Sequence, residues 1–121
     1  MLETRWDPSR SIDTPLWART PKLYTLPDVY AGVYTHQRLV IVFGIIHMTR
    51  RHRYVLRTAH ADTCRAWMED WSETYGPEAG SVLAREAYSH LRLLSPSVNT
   101  RRLLAIQKDA WPPNNIKVIA L

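Results

Sequence analysis

The segment LVIVFGII, residues 39–46, decides how this 121-residue chain is read. Every position except Gly44 is strongly apolar, five of the eight residues are β-branched, and the run is far short of the ~20 apolar residues that cross a bilayer. β-Branched side chains fit a pleated backbone. A strand without a polar face belongs where both of its faces are covered. Residues 39–46 are therefore expected to form the central strand of a sheet.

The flanks extend that reading. Thr49-Arg50-Arg51-His52 is a polar connection, and Arg53 to Thr58 alternates, with Tyr54 and Leu56 on one side and Arg53, Val55 and Arg57 on the other. Val29 to Thr35 is β-branched and aromatic, so residues 28–60 read as two or three antiparallel strands joined at a basic hairpin. Residues 1–27 hold four of the eight prolines. They read as an extended arm with one short strand near Leu16 to Arg19, pinned by Trp6 and Trp17.

From Ala61 the period changes to that of a helix. Cys64, Trp67, Met68, Trp71 and Tyr75 recur at spacings of three and four, Asp62 is a plausible cap, and Gly76-Pro77 is a stop. A second helix fits Pro77 to Leu94 on the stripe Leu83, Ala87, Leu91 and Leu94, and a third fits Thr100 to Ala110. Residues 61–111 are thus helical, and residues 116–121 form a last short strand that pairs with a sheet edge. The expected fold is a single α+β domain of residues 1–121, a small antiparallel sheet packed by C-terminal helices.

Charge points to the class of partner. The chain carries 13 Arg and 3 Lys against 11 acids, a formal charge of +5. Residues 29–61 contain no acid at all, but hold Arg38, Arg50, Arg51, Arg53 and Arg57 with four of the five histidines. Guanidinium groups crowded on one connection repel one another unless an anion sits between them, and their fork geometry suits carboxylate and phosphate. Arg38, Arg50, Arg51, His52, Arg53 and Arg57 are accordingly the candidate anion-binding residues. The opposing reading is a solvated loop partly neutralised by Glu69, Asp70 and Glu73 on the first helix.

Signals for chemistry are weak. The histidines lack the close spacing of a zinc site. Cys64, the only cysteine, falls on an apolar stripe, which suits a buried small hydrophobe. The four glycines are scattered rather than gathered into a phosphate loop. No catalytic residue, metal or cofactor is expected, and the chain reads as a non-enzymatic module of a reducing, cytoplasmic compartment, with peripheral membrane association compatible with its charge. The expected partner is an acidic protein or an anionic phospholipid. A nucleic-acid accessory role, viral or regulatory, comes second, and a small enzyme third. Nothing in the sequence sets the oligomeric state.

Residues 43–71, FGIIHMTRRHRYVLRTAHADTCRAWMEDW, resemble the end of a pleckstrin homology domain. In that family an apolar strand, a basic turn, a strand of the form R-x-Y-x-L-x-A and a helix with a core tryptophan follow in this order. Phe43, Ile45, Arg53, Tyr54, Leu56, Ala59 and Trp67 occupy the matching positions. The family's lipid-binding Lys-x-Arg pattern has no counterpart in the amino-terminal stretch. What the resemblance implies is thus a sheet closed by a helix rather than phosphoinositide binding.

Overall fold

Residues 39–46 are helical. In the computed structural model, which describes residues 2–29, 35–94 and 113–121, they belong to a helix that spans His36–Met48, labelled α2 below. Thr35 caps it, its Oγ1 accepting from the Arg38 N–H at 3.2 Å, and all ten residues from Leu39 to Met48 are buried. A helix covered on every side has no amphipathic stripe, and a short apolar run reads alike in a buried helix and a buried strand. Five β-branched residues cost a helix at most ~3 kcal/mol in propensity. Burying each Val or Ile gives about 1.5–3 kcal/mol, so packing outweighs local preference here.

The consequence is a different sheet. Strands β1 (Glu3–Arg5), β2 (Leu23–Leu26), β3 (Arg53–Thr58) and β4 (Ile116–Ala120) lie in the order β1-β2-β3-β4, and every neighbouring pair is parallel. The antiparallel sheet and basic hairpin expected from sequence are both corrected. Parallel neighbours need a crossover of a dozen or more residues, and α2 is the crossover from β2 to β3. The amino-terminal stretch expected as an arm supplies β1, β2 and a single helical turn, α1 (Thr14–Trp17), where a strand was expected. The last strand does take an edge position, beside β3. The expected helix at residues 100–110 lies outside the described residues, as does most of the expected strand at 29–35.

Two further helices, α3 (Ala61–Tyr75) and α4 (Ala79–Leu94), lie between β3 and β4, joined by a 3-10 turn at Gly76–Glu78. Gly76 ends α3 at φ 57°, as its sequence position suggests. The first residue before α3 is His60, without a side-chain cap, so Asp62 sits in the first turn instead. Of the aromatic stripe, Trp71 is buried with its Nε1 donating to the Ala79 carbonyl at 2.9 Å. Trp67, expected in the core, is half-buried and stacks between Phe43 at 5.0 Å and Trp71 at 5.3 Å. Of the pleckstrin-like order, the strand from Arg53 is followed by the helix, while Phe43 and Ile45 are helical.

Parallel crossovers are right-handed, and this sheet steps in one direction only. Successive helices therefore fall on one face, and α2 packs on α4 so closely that a Cβ built on Gly44 would lie 2.2 Å from the Ala87 Cβ. Beneath them the sheet buries Tyr24, Leu26, Tyr54, Leu56 and Thr58. Trp6 completes this layer, edge-on to Tyr24 at 6.3 Å and Tyr54 at 5.8 Å. The other face of the sheet is left to the alternate residues of each strand.

Candidate anion-binding face

The six basic candidates divide into residues bonded to the amino-terminal stretch and residues that are not. Arg51 is a pin: its Nε donates to the Ala18 carbonyl at 2.9 Å and its Nη2 to Pro15 and Leu16 at 3.1 and 3.2 Å. It thereby satisfies the carbonyls that the short helix α1 leaves open at its end. His52 is a second pin, fully buried. Its Nδ1 accepts from the Lys22 N–H at 3.1 Å, so the proton is on Nε2, 3.0 Å from the Pro15 carbonyl. Burial pushes its pKa below the ordinary histidine value, the Arg51 charge pushes the same way, and the Pro15 hydrogen bond opposes them. Arg38 reaches the Pro8 carbonyl at 3.4 Å from the start of α2. These three hold the amino-terminal stretch against α2 and β3.

Arg53 and Arg57 behave differently. Both are exposed, and strand alternation turns them away from the helices. The register sets their neighbours. Arg53 is level with Leu23; Arg5, Thr25, Val55 and Lys117 form the next row; Arg57 is level with Ile119. Val55 thus sits at the centre of a triangle of Arg53, Arg57 and Lys117, ~5–7 Å from each by strand spacing. Glu3 is the single acid on this face among the described strands. The acids of α3 lie on the helix side, so they do not answer the expectation of a neutralised loop for Arg53 and Arg57.

Beside the triangle lies a depression of about 410 Å³ lined by Arg50, Arg53, Lys117, Leu23, Val55 and Asn115, among others. Arg50 comes from the α2–β3 connection and donates to His47 Nδ1 at 3.2 Å, since a guanidinium has no acceptor. Asn115 sets the floor. Its Nδ2 is 2.9 Å from the Ile46 carbonyl and 3.3 and 3.4 Å from those of His52 and Thr49. One amide therefore ties the start of β4 to the end of α2. Behind it, Thr49 donates to the Ile45 carbonyl at 2.6 Å, leaving Tyr54 to donate its hydroxyl proton to Thr49 Oγ1 at 2.5 Å. Burial raises the Tyr54 pKa.

Lys117, Arg5 and Asn115 are the site residues that sequence reading missed. The alternation within 3–5 and 116–120 is visible in sequence, but only the parallel register puts Lys117 and Asn115 beside β3 and sets Arg5 in the row of Val55, two strands away. The remaining surface offers less. Ligands of open α/β sheets bind where strand order reverses, and this order never reverses. Among the described residues no three His, Cys, Asp or Glu side chains gather as a metal site, Cys64 is buried, and no helix is long and apolar enough to cross a membrane. No family model, curated protein or solved structure matches this chain.

Proposed function

We propose that this chain is a non-catalytic interaction module that binds an acidic protein segment on the face of its sheet turned away from the described helices. The observation that carries the reading is the triangle of Arg53, Arg57 and Lys117 around Val55, with Arg5 in the same row. Parallel sheets are normally covered on both faces. Here the second face sets half-buried Leu23, Thr25, Val55 and Ile119 among exposed Arg5, Arg53, Arg57 and Lys117, with Glu3 as its one acid, a surface complementary to an extended segment that alternates acidic and aliphatic side chains. Its aliphatics are short and carry no aromatic ring, so they offer neither a stacking platform for bases nor a wedge for a bilayer. The anion-binding set is accordingly Arg53 and Arg57 with Arg5, Arg50 and Lys117, while Arg38, Arg51 and His52 serve the fold.

The test is a binding titration with three probes: a peptide of alternating Glu and Val, vesicles of mixed phosphatidylserine and phosphatidylcholine, and a mixed-sequence single-stranded oligonucleotide. The peptide should bind, with affinity that drops as salt rises because the charges are screened. Changing Arg53, Arg57 and Lys117 together to Glu should abolish binding and leave the thermal midpoint within a few degrees, since exposed charges contribute little to stability. Tighter binding of vesicles or oligonucleotide, or peptide binding that survives the triple change, would refute the proposal.

A further inference from the structure

The two edges of the sheet are unequal. β1 is three residues long and carries Glu3 and Arg5, which is how proteins blunt an edge. β4 is five residues, IKVIA, with one charge. The backbone direction along β4 follows from its bonds to β3: Tyr54 N–H donates to the Asn115 carbonyl at 2.8 Å, and Leu121 N–H donates to the Thr58 carbonyl at 3.0 Å. In a parallel ladder, residues two apart on one strand bond the same neighbour. Residues 115, 117, 119 and 121 therefore turn their amides and carbonyls inward to β3. Ile116, Val118 and Ala120 turn theirs outward, and no described strand lies on that side.

We infer that a second copy of this chain pairs with this edge, β4 against β4, antiparallel about a two-fold axis at Val118. The pattern is self-complementary. With Val118 opposite its own copy, Ile116 falls opposite Ala120, and all the outward N–H and C=O groups of the three residues are satisfied in both copies. Lys117 then faces Ile119 of the second copy instead of another lysine. A shift of two residues toward the start of the strand would set Lys117 against Lys117, and like charges directly opposite disfavour that register. A two-fold interface of this kind uses the same patch twice. It joins the sheets into eight strands with both cationic faces on one side. The inference rests on backbone direction and is independent of what binds the cationic face.

Proline provides the test, because it deletes an N–H without touching the other strand when placed at an outward position. Sedimentation equilibrium of the wild-type chain from 1 to 500 μM should show conversion from 14.1 kDa to twice that mass. Val118→Pro and the milder Ala120→Pro should stay at the single-chain mass throughout while keeping a cooperative melt. If Val118→Pro does not fold, Ala120→Pro decides. Hydrogen exchange on the wild type is a second reading: the Val118 and Ala120 amides should be protected at high concentration and lose at least tenfold of that protection on dilution, while Lys117 and Ile119 stay protected. A wild type that remains single at 500 μM would overturn the inference, as would folded proline variants that still double their mass or outward amides indifferent to dilution.

Discussion

Gly44→Ala should destabilise the protein even though alanine is the better helix former. An ideal Cβ at Gly44 lies 2.2 Å from the Ala87 Cβ, where carbon atoms rest at about 3.5–4.0 Å. Both atoms are fixed to helix backbones, so α2 and α4 must separate by roughly 1.5 Å. Overpacking of this kind costs about 1–3 kcal/mol, and we place it at the upper end because neither atom has a rotamer to yield. Helix propensity returns about 1 kcal/mol, for a net loss of about 2 kcal/mol. Ala87→Gly alone loses about 1 kcal/mol of propensity and about 0.8 kcal/mol of methyl burial. In the double variant the propensity terms cancel. The new Cβ then meets the residue 87 Cα at 3.7 Å and the Leu83 carbonyl at 3.5 Å, both ordinary contacts. Gly44→Ala/Ala87→Gly should thus lie within about 1 kcal/mol of wild type, a coupling of about 3 kcal/mol. Urea denaturation followed by tryptophan fluorescence measures all four proteins. A Gly44→Ala protein as stable as wild type, or a double variant that loses the sum of the single losses, would refute the close crossing of α2 and α4.

His52 should make stability depend on pH. Its folded pKa lies below the ordinary 6.5, so the unfolded chain takes up the proton first: the contribution is complete above about pH 6.5 and is lost as pH falls toward the folded value. The stability difference between wild type and His52→Gln should therefore narrow from pH 7.5 to pH 5. A constant difference across that range would mean that the ring is not held neutral between Lys22 and Pro15. Tyr54→Phe removes the buried hydroxyl that donates to Thr49 and should cost about 1–2 kcal/mol in the same denaturation assay, because Thr49, itself fully buried, loses a partner. A loss below about 0.3 kcal/mol would show that the Thr49 bond to Ile45 suffices alone.

Several elements were legible in the chain alone, each for a local reason. The stripe from Cys64 to Tyr75 and the stop at Gly76 need only helix periodicity and a residue that tolerates positive φ. The strand Arg53–Thr58 needs only its period of two. Its cations Arg53 and Arg57 emerge exposed because alternation within one strand is a property of the backbone. By contrast, the identity of residues 39–46 depended on how many sides of the segment are covered. Once the sheet, α3 and α4 surround it, a β-branched run is helical against its own preference, and the crossover it forms turns the whole sheet parallel.

The roles of the basic residues show the same division. Positive charge between residues 29 and 61 is a matter of composition and could be read at once. Which charges are spent on the fold was settled by partners thirty or more positions away: Arg51 and His52 meet carbonyls in and just after α1, and Arg38 meets Pro8. That Lys117 lies next to Val55 between Arg53 and Arg57, and that Arg5 shares its row two strands away, follows only from strand register. Sequence by itself determined which residues can carry charge and which segments repeat at two or near four. Tertiary structure decided which of those charges share a face, because adjacency across a parallel sheet is set by crossovers that bring together residues with no local relation.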